Sequence, residues 1–406
     1  MADAPGLVPI GDILAARDGL AGVLRPTPLH RSDSLTRLCG RPILLKFEQL
    51  QRTGSFKIRG AYWHIACLLA RGPVDHVVAA SAGNHAQGVA LAASLLGVRS
   101  TVFMPTAASW PKVVATRDYG ADVRLHGASL SQAMEAALAF AADCGARFVP
   151  PFDDLDVIAG QGTLGLELAE SVPPDSTVVV PVGGGGLVSG VASALTVQRP
   201  DVRVIGVQAA GAPGMRRALE AGHPVTLDRL DTMADGIRVG RVGHITLAHV
   251  ARLVDDIVTV DDEAISRAVL LLVERAKAVV EPSAATSLAA VLEDRVPGRG
   301  PVVPVLSGGN VDPALLARLL RHGLAVSGRQ VSMRVVVLDA PGQLHRMLGV
   351  LADRGLDVVD VDHQRSDRRL RVDEVEVGVT VEARDPSDVA NVIDELRALG
   401  YRADMD

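Results

Sequence analysis

Apolar residues along this chain recur in two rhythms. Short runs rich in Val and Ala are each followed by a stretch with apolar positions at helical spacing: Val77 to Ala80 then Asn84 to Leu96, Ser100 to Met104 then Pro111 to Tyr119, Asp122 to Leu125 then Ser129 to Ala142. A strand covered on both faces reads as an unbroken apolar run, so this alternation predicts a parallel sheet flanked by helices. The rhythm resumes with a buried strand at Thr177 to Val182, a helix ending at Gln198, a strand at Val202 to Gln208 and an apolar strand at Pro304 to Leu306. Between the two groups, Ile158 to Thr163 reads as a turn opening a helix that runs through Ala169. Upstream, Ile10 to Leu20 predicts an amphipathic helix, Ile43 to Phe47 a strand and Phe56 to Leu69 a helix. Arg25-Pro26-Thr27-Pro28-Leu29 is a stiff extended segment, because each proline pushes its predecessor out of the helical region.

Residues 322 to 330, with Gly323 and Gly328, read as a short linker, and beyond it the pattern changes. Ser332 to Leu338 predicts a strand, Gly342 to Arg354 a helix, Asp357 to Gln364 a strand with alternation, Asp373 to Val381 another, Ser387 to Leu399 a helix and Tyr401 to Ala403 a last strand. This βαββαβ order predicts a ferredoxin-like layer with helices on one face. The expected organisation is a large domain over 1–325, with a smaller subdomain at about 51–150 inserted in it, and a second domain over 330–406.

Composition narrows the class. At 406 residues, with 48% hydrophobic positions, 40 glycines and 3% aromatics, the chain suits α/β domains with cores of Val, Leu and Ala. A net charge of -6 leaves no basic excess for nucleic acid. Cys39, Cys67 and Cys144 are odd in number and widely spaced, which fits buried thiols in a reducing compartment rather than disulfides or a zinc site. The N-terminus lacks a basic region followed by an apolar run, and no apolar stretch reaches membrane-spanning length, so a cytoplasmic protein without a membrane partner is expected.

Candidate chemistry sits where strands end and helices begin, the place where parallel sheets hold ligands. The Thr53-Gly54-Ser55 turn sets Lys57 in the first turn of a helix, where the dipole disfavours the ammonium form. Lys57 is therefore a candidate for a neutral amine that forms a Schiff base with a carbonyl cofactor, the plain alternative being a solvated lysine. In Ser81-Ala82-Gly83-Asn84-His85-Ala86-Gln87-Gly88, Ser81 can cap, Gly83 allows close approach and the first helical amides would hold a carboxylate; a simple helix cap is the alternative. Gly183-Gly184-Gly185-Gly186-Leu187 follows a strand and opens a helix, a backbone amide nest suited to a phosphate. A P-loop would need Lys-Ser/Thr where Leu187-Val188 stands, and Val188 and Ser189 replace the last glycine of a dinucleotide fingerprint in its two registers. One phosphate on a small cofactor fits better. No metal is expected: the eleven histidines show no paired spacing, and Gln208, Ala209, Ala210 and Ala212 offer no carboxylate.

Ser55-Phe56-Lys57-Ile58-Arg59-Gly60-Ala61, with Lys46, Glu48 and Gln51 upstream, resembles the cofactor-lysine motif of threonine ammonia-lyases, also called threonine dehydratases, which are fold type II pyridoxal phosphate enzymes. Thr27-Pro28-Leu29, the 81–88 string, Pro151-Phe152 with Ala159-Gly160-Gln161-Gly162-Thr163, the glycine run, Asp235-Gly236-Ile237, Glu281-Pro282-Ser283 and Ser307-Gly308-Gly309-Asn310 fall in the family's order. Asp339-Ala340-Pro341-Gly342-Gln343-Leu344 resembles the first turn of the ACT domain, a small regulatory module. The resemblance implies an α/β fold of two open parallel-sheet subdomains plus a C-terminal ferredoxin-like ACT domain, and pyridoxal 5'-phosphate as cofactor.

By that resemblance Lys57 is the catalytic residue and cofactor anchor beside Phe56. Asn84 meets the cofactor's 3-hydroxyl, Gly183, Gly184, Gly185, Gly186 and Leu187 its phosphate, Gly236 its ring, and Ser307 its pyridine nitrogen. Ser81, Ala82, Gly83, Asn84 and His85 hold the substrate carboxylate, and Phe152 lines the pocket. Ala82 stands where serine racemases of the family carry a serine; alanine cannot move a proton, so two-base racemisation lacks its second base. The implied activity is β-elimination of water from L-threonine, giving 2-oxobutanoate and ammonia. Its alternatives are action on L-serine or 3-hydroxyaspartate, as dehydratase or racemase, and, from another class, a non-catalytic amino-acid-binding sensor. A branched-chain amino acid at the ACT-like tail and a homo-oligomer, dimer or tetramer, are the further implied partners.

Overall fold

The unbroken apolar runs become strands of two parallel sheets. The computed structural model describes residues 6–365, 370–383 and 386–405, and the chain divides into two units, Met1–Pro313 and Ala314–Asp406. The first unit opens with helix α1 (Ile10–Gly19), strand β1 (Leu29–Arg31), helix α2 (Asp33–Cys39) and strand β2 (Leu44–Lys46). Then come α3 (Lys57–Arg71), β3 (His76–Ala80), α4 (Asn84–Leu95), β4 (Arg99–Met104), α5 (Trp110–Asp118), β5 (Asp122–Leu125), α6 (Leu130–Cys144) and β6 (Arg147–Phe148). Strands β3 to β6 form the first sheet in the order β5-β4-β3-β6, parallel throughout. The β3 run has no polar face because both faces are covered: Val77 and Ala79 pack with Ile58 and Ile65 of α3 and Val89 of α4, while Val78 and Ala80 meet Ala133 and Ala137 of α6.

Helix α7 (Leu155–Ser171) leads to the second sheet, built from β7 (Thr177–Pro181), α8 (Gly186–Gln198), β8 (Arg203–Ala209), α9 (Gly214–Ala221), α10 (His244–Leu253), β9 (Asp256–Val260), α11 (Asp262–Leu271), α12 (Pro282–Leu292) and β10 (Val302–Pro304). Its order is β10-β7-β8-β9, again parallel. The strand expected at Pro304 to Leu306 lies earlier. Strand β10 pairs with β7 as far as Pro304, and Leu306 then donates to the Lys46 carbonyl, so the sheet's edge passes to β2.

The 158–163 segment is a helix interior rather than a turn. Asp154 caps α7, accepting from the Val157 amide, and the glycines that look like punctuation are packing surfaces. A Cβ at Gly160 would fall 2.6 Å from the Arg59 carbonyl of α3, and one at Gly190 of α8 would fall 2.5 Å from the Gly162 amide. Glycine costs roughly 1 kcal/mol relative to Ala inside a helix, a loss offset here by backbone-to-backbone contact that no larger residue allows.

In the second unit, α13 (Pro313–Val326) precedes β11 (Gln330–Leu338), α14 (Gln343–Asp353), β12 (Asp357–Gln364), β13 (Glu374–Glu382), α15 (Pro386–Ala398) and β14 (Arg402–Met405). The residues read as a linker, 322–330, are helical as far as Val326: Gly323 is buried within α13, and the helix formers around it outweigh its cost. The sheet is antiparallel in the order β12-β13-β11-β14. Alternate residues Met333, Val335 and Val337 of β11 and Val375, Val377, Val379 and Val381 of β13 pack with Met347, Leu351, Val389, Val392 and Leu396 of α14 and α15. Strand β12 is exposed along its whole length, because it is the edge strand of this sheet and carries a bulge at Val358/Asp360; the alternation read there separates no buried face. Among the described residues no helix is long and apolar enough to cross a membrane.

Candidate active site

Lys57 opens α3 after a turn held in an unusual backbone state. Thr53 and Gly54 both have positive φ, 61° and 68°, and the turn is pinned from the segment after β10: Asn310 Nδ2 donates to the Thr53 carbonyl at 2.7 Å, and the Phe56 amide donates to the Ser307 carbonyl at 3.1 Å. Lys57 Nζ in turn donates to the Pro151 carbonyl at 2.8 Å and lies 5.2 Å from the centre of the Phe56 ring. Burial pushes its pKa down to about 8, against the opposing pull of Glu281. At pH 7 roughly one amine in ten is then neutral, and the lowering comes from burial rather than from the helix dipole.

The motif residues around Lys57 divide into two sets. Arg59, fully buried, donates to both oxygens of the equally buried Glu48 at 2.8 Å and reaches Glu167 of α7 at 2.7 Å. Lys46 joins the same Glu167 at 2.6 Å, and Thr163 accepts from Arg59 at 3.0 Å. Burial alone would raise the Glu48 carboxyl, but the Arg59 charge and hydrogen bonds bring it below the ordinary carboxylate range. Gln51 holds the extended segment before β1, exchanging hydrogen bonds with the Arg25 backbone. Lys46, Glu48 and Gln51 are thus foundations under the Lys57 turn.

Ser81, Ala82 and Gly83 form the turn from β3 into α4. Gly83, not Ser81, is the residue before the helix; the Ser81 hydroxyl instead accepts from the Gly83 amide at 3.2 Å. Helix α4 lies directly on the Lys57 turn, since a Cβ at Gly88 would sit 3.1 Å from the Lys57 backbone. His85 points inward and meets the Val149 carbonyl at 3.0 Å. Burial, with the Lys57 charge, pushes its pKa down to about 3, so it is a neutral donor to Val149, and what it can offer a carboxylate is its backbone N–H. Asn84 Nδ2 donates to both Glu281 oxygens at 2.9 and 3.0 Å, and its Oδ1 accepts from Asn310 at 2.7 Å.

The glycine run lies at the end of β7, with Gly185 left-handed (φ 95°) and Gly186 opening α8. This turn tests whether a phosphorylated cofactor fits. A Cβ at Gly184 would fall 2.3 Å from the Phe152 ring, and one at Gly185 2.6 Å from Met215. The turn carries no side chains of its own, Phe152 and Met215 occupy the space where they would stand, and the dipole of α8 is directed at the nest. Leu187, by contrast, points into the core of the second sheet. Gly183 touches Ile237, and the Gly236 amide donates to Ser283 at 2.8 Å, so the 235–237 segment borders both the glycine run and the start of α12. Pyridoxal phosphate fits these residues: an amine of lowered basicity and an anion nest both meet the Pro151-Phe152 loop, and a side-chain amide opens the helix packed on the lysine turn.

Two residues that join the cleft were not singled out by sequence reasoning. Asp153 accepts from the amides of His244, Ile245 and Thr246 at the start of α10, which fixes the loop carrying Phe152. Asn310 was read only as the end of a glycine string. A third, Glu281, noted in the sequence only as the first residue of Glu281-Pro282-Ser283, is 4% exposed with its carboxyl pushed up to about 7 by burial and by Asp235, opposed by Asn84, Lys112 and Lys57. Among the described residues, His64, Asp154 and Asp156 bring ligand atoms within 4.8 Å of one another; Asp156 is taken by a two-pronged pair with Arg71 and Asp154 by the α7 cap.

The family described as pyridoxal-phosphate dependent enzyme matches residues 20–308, and the ACT domain matches residues 331–400. The L-threonine ammonia-lyase of Thermotoga maritima is 43% identical over 395 residues, covering 97% of this chain and 98% of that protein. Among solved structures, the processed form of threonine deaminase isoform 2 from Solanum lycopersicum aligns with a TM-score of 0.73 at 37% identity, over 77% of this chain and 91% of that one. Maize serine racemase aligns with a TM-score of 0.74 at 35% identity, over 79% and 99%. With the lysine turn, the anion nest and the tail sheet all in the expected order, this chain belongs to the threonine ammonia-lyase family of pyridoxal-phosphate dependent enzymes and carries a C-terminal ACT domain.

Proposed function

We propose that this chain is an L-threonine ammonia-lyase, releasing 2-oxobutanoate and ammonia by loss of the Cα proton and the β-hydroxyl. The observation that carries the reading is Lys57: an amine with its pKa brought down to about 8, facing the Pro151-Phe152 loop beside a bare glycine nest. Bound pyridoxal phosphate supplies a conjugated ring that spreads the electron pair left when the Cα proton departs. Lys57 would anchor the cofactor through its amine and, as a free amine, would take the Cα proton. Gly183 to Gly186 would hold the phosphate with backbone amides, Ser307 would offer the pyridine nitrogen a neutral hydroxyl, and Gly236 would border the ring. The amides opening α4 and the turn Ser81-Ala82-Gly83 hold the substrate carboxylate, with Phe152 closing the pocket.

Likeness to a serine racemase raises racemisation as a rival. Ala82 weighs against it, since a methyl group can return no proton to the opposite face. The reading extends to a branched-chain amino acid as effector at the ACT domain, a homo-oligomer of dimer or tetramer size and a cytoplasmic setting; the three free cysteines support the last. The test is 2-oxo acid release from L-threonine and L-serine by the purified chain, with Lys57→Ala in parallel. Rapid 2-oxobutanoate formation, lost in the variant, is expected; no oxo acid from either substrate would sink the assignment. Rates left unchanged by isoleucine and valine, with no binding of either to the full chain, would sink the effector reading.

A further inference from the structure

The Asn84 amide is held by a chain of hydrogen bonds that begins at an unambiguous acceptor. The Thr53 carbonyl can only accept, so Asn310 must present its NH2 there, and the same NH2 donates to Asn84 Oδ1. The orientation of Asn84 follows, with its own NH2 toward Glu281. Both Glu281 oxygens accept at the same nitrogen, 2.9 and 3.0 Å away, an arrangement that a single N–H aimed between them satisfies, leaving the second N–H for another acceptor. Glu281 itself occupies a slot that side chains would close: a Cβ at Gly308 would fall 2.7 Å from its Oε1, and one at Gly236 3.0 Å from the same atom. Segments from three parts of the chain thus converge on one buried carboxylate whose only hydrogen-bond donor among the described side chains is Asn84.

We propose that Glu281 is a positioning residue for the cofactor: it takes one N–H of Asn84 and thereby presents the other to the cofactor's 3-hydroxyl oxygen. This rests on reading Asn84 as the residue that meets that oxygen. Above about pH 7 Glu281 is ionised and its hydrogen bond is charge-assisted, about twice as strong as a neutral one, so in titrations at pH 8 it holds the amide better than an uncharged isostere would.

The experiment uses full-length apoprotein titrated at pH 8 with pyridoxal 5'-phosphate and with its 3-deoxy analogue, binding being followed by absorbance, for the unaltered chain, Asn84→Ala, Glu281→Gln and Glu281→Ala. The unaltered chain is expected to prefer the natural cofactor by about tenfold or more, the value of one such hydrogen bond. Asn84→Ala is expected to bring the ratio near one, and both Glu281 variants to reduce it by roughly threefold or more, Glu281→Gln less than Glu281→Ala. A Glu281 that merely fills space would weaken both ligands in proportion and leave the ratio intact, which overturns the proposal. If the unaltered chain shows no preference, or Asn84→Ala keeps it, the reading of Asn84 falls and the proposal with it. If Asn84→Ala loses the preference while both Glu281 variants keep it, the proposal alone falls.

Discussion

Lys57 Nζ and the Pro151 carbonyl lie 2.8 Å apart, donor to acceptor, across 94 residues of sequence. The contact ties the residue that opens α3 to the loop that carries Phe152, and so turns the amine toward that loop rather than toward solvent. It also leaves the ammonium one hydrogen bond to compensate for its burial, too little to keep its pKa at the ordinary lysine value.

Lys57 in the apoprotein should therefore react with a small aldehyde under reducing conditions with a midpoint near pH 8. Below that pH the amine is protonated and inert, and above it neutral and nucleophilic. Peptide mass spectrometry across a pH series reads the modification at Lys57 directly. A midpoint near the ordinary lysine value, about 10.4, would contradict the burial argument.

Glu281 should make the apoprotein less stable as pH rises toward 7. Its folded pKa is raised, from 4.5 to about 7, so its contribution is complete below the unfolded value and is lost as pH climbs through the folded one. The charged groups that set this balance are Asp235, Lys112 and Lys57, with Asn84 as the hydrogen-bond partner. Glu281→Gln should flatten the difference in denaturation midpoint between pH 5 and pH 8, by an amount on the order of 3 kcal/mol when converted to free energy. Equal pH dependence in the two proteins would show that the carboxyl titrates normally.

Arg59→Met should cost roughly 3–5 kcal/mol of stability, because it strands the fully buried Glu48 without its counter-charge. The denaturant midpoint of the apoprotein measures it, free of any effect on the cofactor. Arg59→Lys should recover only part of the loss, since an ammonium cannot reproduce the paired bonds to Glu48 while reaching Glu167. A loss under about 1 kcal/mol in Arg59→Met would mean that water reaches Glu48.

Gly184→Ala should weaken cofactor binding while leaving the fold intact. The added methyl would fall 2.3 Å from the Phe152 ring, and displacing that ring costs about 1–3 kcal/mol by the usual overpacking range. Titration of the apoprotein with pyridoxal 5'-phosphate should show affinity reduced by about tenfold. Unchanged affinity would mean that the ring is free to swing away.

The sequence showed the segments that build the cleft because each announces itself locally. Gly183 to Gly186, Ser81 to Gly88 and Thr53 to Lys57 all combine an apolar run with a glycine turn and a helical period. It did not show the partnerships between segments. Asn84 meets Glu281 across 197 residues, and nothing local distinguishes that glutamate from one that merely complements a helix dipole. Gly160 and Gly162 misled for a related reason: a glycine that lets two helices touch looks the same in one dimension as one that ends a helix. The tail was legible in order but not at β12, where the edge position removes the burial that alternation normally reports.

The glycine contacts of α3, α7 and α8 have a consequence for precision. Lys57, proposed above as the cofactor's covalent anchor, begins α3, and the glycine turn proposed for its phosphate begins α8. What separates them is main chain against main chain, at Gly160 and at Gly190. Side chains can change rotamer and lengthen or shorten a gap, but peptide planes in contact cannot. The interval between Lys57 and the glycine turn is thus ruled off by the stiffest parts of the polymer, and substitutions elsewhere in the core can alter the stability of this protein without changing that length.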